Sequence, residues 1–77
     1  MSSVRMLERI DPRDPFAIVL RADDTAAPVI LQTARDADGA TVAFQTERQR
    51  LKQRRVVGDL LLVHQKKART LLREPLR

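Results

Sequence analysis

The first half of the chain reads as short strands, each able to gather large apolar residues on one face at a period of two. Residues 16–20 place Phe16, Ile18 and Leu20 on one face, with Pro12 and Pro15 before them and Asp23-Asp24-Thr25 after, which predicts a strand bounded by turns. Residues 29–33 and 40–44 repeat the pattern on either side of Asp38-Gly39, a dipeptide suited to the two positive-φ positions of a type I′ hairpin. A two-residue loop there pairs Arg35 with Val42 and Thr33 with Phe44, gathering Val29, Leu31, Val42 and Phe44 on one face. A one-residue slip would divide that set. A weaker alternation over residues 4–10, at Val4, Met6 and Ile10, offers a further strand.

From residue 46 the pattern turns helical. Thr46 and Gln49 stand at the spacing of a capping box, and Pro75 ends the run. In one continuous helix Phe44, Leu51 and Leu62 would share a side, while Val57, Leu61, Ala68 and Leu72 would fall opposite. A straight helix cannot keep both stripes on one core. Gly58-Asp59 supplies a break, as a left-handed C-terminal residue followed by a new N-cap. The phase therefore predicts one helix over 47–57 and a second over 60–73. A competing reading makes residues 56–63 a buried strand, since that run is rich in Val and Leu. The expected fold class is α+β, a small antiparallel sheet of three to four strands followed by one or two C-terminal helices.

Length sets the scale of any core. With 77 residues there is room for one small domain over 1–77, mainly strands in 1–46 and a basic helical part in 47–77. Aromatic residues make up only 3%, so Val, Ile and Leu must build the interior. The absence of Cys excludes disulfides and thiolate zinc sites. The longest strictly apolar run, residues 16–20, falls far short of the roughly 20 residues that cross a membrane. No signal-peptide pattern opens the chain, and a cytoplasmic location is expected.

Charge changes the picture more than composition does. Residues 1–46 carry five bases and seven acids, whereas residues 47–77 carry ten bases and three acids. Arg48, Arg50, Lys52, Arg54 and Arg55 circle the first expected helix and leave Leu51 as nearly its only apolar anchor. A charged surface helix kept for solubility would usually mix signs, yet only Glu47 is acidic there. Phosphate contact explains the pattern better, because the planar Arg fork suits phosphate oxygens and guanine edges, and Arg outnumbers Lys twelve to three. Lys66, Arg69 and Arg73 would extend the track along the second helix. Leu62 falls among them by phase and is the candidate contact for a protein partner or a second copy.

Catalysis finds few candidates. Ser2 and Ser3 are the only serines and His64 is the only histidine, so no nucleophile stands beside a base. Asp23/Asp24 and Asp36/Asp38 sit at expected turns, where Asp ordinarily bonds backbone amides. Asp36-Ala-Asp38-Gly39 fails as a calcium loop, since Ala34 and Gln45 would occupy positions that need carboxylates. His64, flanked by Leu60, Leu61, Ala68 and Leu71, reads as a packed histidine rather than a metal ligand. No catalytic, metal or cofactor role is assigned.

The favoured reading is a small basic nucleic-acid-binding regulator or accessory protein of a bacterial or phage-like cytoplasm. It would touch duplex DNA or the backbone of structured RNA, because too few aromatics remain to stack single strands. The alternative is a protein-binding module that inhibits or adapts a larger nucleic-acid enzyme through its basic surface. A homo-oligomer is the third reading, and a membrane surface is disfavoured for want of a large apolar face.

Overall fold

A computed structural model of the chain describes residues 10–76, and most of the expectation over residues 4–10 lies outside that range. Five elements follow in order: β1 (Phe16–Arg21), β2 (Val29–Ala34), α1 (Ala37–Gln53), β3 (Gly58–His64) and β4 (Arg69–Leu76). The strands form one sheet in the order β2-β1-β3-β4, every neighbour antiparallel. The architecture is mixed α+β, with one helix between two strand pairs rather than helices after the sheet. β1 and β2 appear where the alternation places them. The rest of the chain departs from expectation, for identifiable reasons.

The expected hairpin around Asp38-Gly39 is instead the first turn of α1. Asp36 is the N-cap, its Oδ1 accepting the Gly39 amide at 2.7 Å, and Asp38 adds a carboxylate at the positive end of the helix dipole. Ala40, Ala43, Phe44, Glu47 and Leu51 then form the buried stripe at helical spacing, while Val42 lies 63% exposed. Two alanines carry much of that stripe, so an alternation of larger residues imitated a strand. Thr46 is inside the running helix and caps nothing. Its hydroxyl donates to Val42 O one turn back.

α1 ends before Gly58 rather than at it. The Val56 amide donates to Leu51 O at 3.0 Å and the Arg55 amide to Lys52 O at 3.1 Å, the paired bonds of a Schellman motif. Arg55 takes the left-handed position at φ 58°, which Gly more often fills. Gly58 opens β3 at φ 145°, where an added Cβ would stand 2.7 Å from Arg21 O. The glycine is needed for a close approach to β1.

The second expected helix, 60–73, is a β-hairpin, and the competing strand reading of 56–63 describes β3 more closely. β3 lies in the middle of the sheet. Leu60 and Leu62 face α1, and Leu61 and Val63 face the other way. A strand covered on both faces shows a continuous apolar run that hides its period. Four residues, 65–68, join β3 to β4, with Ala68 at φ 48°. No Gly marks that turn. Pro75 is accommodated at the end of an edge strand.

The main core lies between α1 and the sheet. Ile18, Leu60 and Leu76 are almost completely enclosed there with Phe44, Leu51 and Leu62, each large apolar side chain contributing about 1.5–3 kcal/mol by burial. Leu62 is only 5% exposed, which corrects its expected place on a cationic surface. Ala17, Val19 and Leu61 form a smaller buried cluster on the opposite face. Residues 10–15 are tied to the sheet by Thr33, whose hydroxyl accepts the Asp11 amide and donates to Asp14, and by Gln65, which bonds Pro15 O and Asp14 O.

Candidate nucleic-acid interface

The candidate surface is the side of α1 that points away from the sheet. With about 100° of turn per residue, the stripe through Ala40, Phe44 and Leu51 sets the inward direction, and Gln45, Gln49 and Gln53 lie on the opposite crest. All three glutamines are exposed. Together with Arg48 and Lys52 they line an open depression along the helix.

Cations flank the crest on both sides. Towards β4, Arg48 Nε lies 2.8 Å and Lys52 Nζ 3.9 Å from the same oxygen of Glu74. That single carboxylate serves two cations, and its contact with Arg48 lacks hydrogen-bond alignment. On the β2 side, Arg50 Nη1 is 3.2 Å from Glu47, a buried carboxylate on the core stripe. Arg54 and Arg55 follow at the helix end, exposed and without an ion-pair partner among the described residues. The two pairs with Glu74 are half-exposed on both sides and hold by less than about 1 kcal/mol, so a phosphate can replace that carboxylate at little cost. Part of the clustering also serves the fold, since Arg50 and Lys52 complement the negative end of the helix dipole.

The remaining expected residues do not join this surface. Lys66 is on the β3–β4 turn and Arg69 opens β4, at the end of the sheet where α1 begins. Arg54 and Arg55 are at the other end, roughly 20 Å away along the seven-residue β3. Arg73 pairs with Asp59 at 3.1 Å on the sheet face turned away from α1. A track running from α1 through Lys66, Arg69 and Arg73 is therefore not formed. Lys67 stands exposed beside Lys66 and belongs to the turn cluster. The glutamine crest was the signal that sequence reasoning missed, because a helix placed over 47–57 leaves out Gln45 and the row's period.

Of the other residues weighed for chemistry, Ser2 and Ser3 lie outside the described residues, and Asp23 and His64 serve the local structure. Asp23 accepts from the Thr25 hydroxyl and from the Thr25 and Ala26 amides, bonds that hold its carboxyl below the usual range. Asp11 is likewise lowered, first by the Arg13 amide and then by its side chain. His64 packs edge-on to Phe16 with ring centroids 5.2 Å apart. Among the described residues, no group of three or more His, Cys, Asp or Glu is placed to hold a metal ion, and no helix is long and apolar enough to cross a membrane. No protein-family model, curated protein or solved structure matches the chain.

Proposed function

We propose that this chain is a small duplex-binding regulator or accessory protein that grips the phosphate backbone with the second half of α1. The observation that carries the reading is the asymmetry of that segment: Arg48, Arg50, Lys52, Arg54 and Arg55 reach solvent, while its one acid, Glu47, is buried in the core stripe. Arg48, Lys52 and Arg50 straddle the helix, so cations stand on both sides of whatever meets the crest.

A salt titration of affinity for random duplex DNA and for double-stranded RNA tests this. Engaging four or five phosphates should give a log–log slope of about −3.5 to −4.5 on duplex DNA, at roughly −0.9 per phosphate. Negligible affinity for every duplex at low salt overturns the reading.

A second reading, a module that binds an acidic protein surface, draws on a different observation. Leu71 and Leu72 are 43% and 46% exposed on the edge strand β4, between Arg69 and Arg73. They offer the apolar anchor that the buried Leu62 does not, next to an open strand edge. Binding that survives Leu71→Ser and Leu72→Ser would remove this alternative.

A further inference from the structure

We propose that α1 also reads sequence, with Gln45, Gln49 and Gln53 contacting base edges in the major groove of B-form DNA and favouring sites that contain A·T pairs. The inference rests on the duplex-binding reading above and narrows it to one substrate class.

Spacing is the first argument. Residues four apart on a helix rise about 6 Å, close to two base steps of about 3.4 Å, so a helix lying along the groove presents one amide for roughly every second base pair. Chemistry is the second. A glutamine amide carries a donor and an acceptor side by side and can meet the N6 and N7 edge of adenine in a bidentate pair. Availability is the third: all three side chains are exposed, and none makes a side-chain hydrogen bond among the described residues.

The surroundings fit a groove better than a flat anionic surface. An α-helix about 10–12 Å wide matches a major groove about 12 Å across. Arg48 and Lys52 on one flank and Arg50 on the other would face the two phosphate walls. The deep, narrow major groove of A-form RNA admits no helix, so double-stranded RNA would meet the cations without the crest. Glutamine favours helix formation, which is a purely structural use of the row. That use affects stability and leaves sequence preference untouched.

The test is selection of bound sites from random duplex DNA by the full chain, followed by titrations of a recovered site, its scrambled version and an RNA duplex of the same sequence. Recovered sites should share A·T pairs and bind at least about tenfold tighter than the scrambled duplex, given roughly 5- to 150-fold for each good bidentate contact. The RNA duplex should bind no better than scrambled DNA. The double variant Gln45→Ala, Gln49→Ala should lose the preference while keeping the wild-type salt slope and melting temperature. Three results overturn the inference while leaving the phosphate reading standing: duplex binding without enrichment, equal affinity for the RNA duplex, or a preference undiminished in the variant. Failure to bind any duplex overturns both.

Discussion

The acids of residues 10–46 and the cations of residues 47–76 are engaged very differently. Asp11, Asp14, Asp23 and Asp36 each bond a backbone amide or a hydroxyl that shapes a loop or starts a helix. Among the cations, Arg48, Lys52, Arg50 and Arg73 lean on carboxylates over 2.8 to 3.9 Å, while Arg54, Arg55, Lys66, Lys67 and Arg69 have no such partner among the described residues. Folding accounts for these four acids. It leaves two groups of cations without a carboxylate among the described residues, Arg54 and Arg55 at the end of α1 and Lys66, Lys67 and Arg69 at the β3–β4 turn, and only the first adjoins the proposed phosphate-binding surface. Substitutions in the two sets should therefore separate stability from binding.

The core sets the upper end of the stability scale. Leu62→Ala should cost about 2–5 kcal/mol in chemical denaturation, the range for emptying a packed leucine site. A loss below about 0.5 kcal/mol would return Leu62 to the surface. Gly58→Ala should cost about 1–3 kcal/mol, since it combines an unfavourable φ of 145° with a Cβ placed 2.7 Å from Arg21 O. A rise in melting temperature would mean that Gly58 sits in regular helix.

The comparison itself is sharpened by two milder changes. Asp36→Ala removes the N-cap and should destabilise by about 1 kcal/mol, with duplex affinity at fixed salt unchanged in the folded protein. Arg55→Gly should act in the opposite sense. Glycine relieves the left-handed φ of 58° and should stabilise by about 0.5–1 kcal/mol, while removing one cation from the phosphates flattens the salt slope by roughly 0.9. A variant that is both more stable and weaker in binding would show the positive charge at this position to be held for a partner.

How much of this was legible in the sequence depended on burial. β1 is buried on both faces, but its short run of Phe, Ile, Val and Leu between Pro15 and Asp23-Asp24 was bounded tightly enough to read as a strand, as was β2. β3 is apolar on both faces, and its run of Leu and Val fitted a helix as well as a strand, so the phase argument favoured the helix. The start of α1 was placed ten residues late because Ala40 and Ala43 hold positions where larger side chains announce a buried face. Asp38-Gly39 is as acceptable in a first helical turn as in a hairpin. The cation cluster of residues 48–55 was plain from composition, but its division from Lys66 and Arg69 follows from a turn at 65–68 that contains no Gly. Only with the helix over Ala37–Gln53 does the row of Gln45, Gln49 and Gln53 come into phase.

The central claim is that α1, and not the β3–β4 turn, supplies the phosphate contacts. It is tested most directly by the salt dependence of duplex DNA binding in two triple variants. Changing Arg48, Lys52 and Arg55 to Gln should flatten the log–log slope by about 2.7, at roughly 0.9 for each phosphate no longer neutralised, with the melting transition preserved. Changing Lys66, Lys67 and Arg69 to Gln should leave the slope within about 0.5 of wild type by the same arithmetic. The reverse pattern, an unchanged slope in the helix variant and a flattened one in the turn variant, would place the interface at the other end of the sheet and contradict the account.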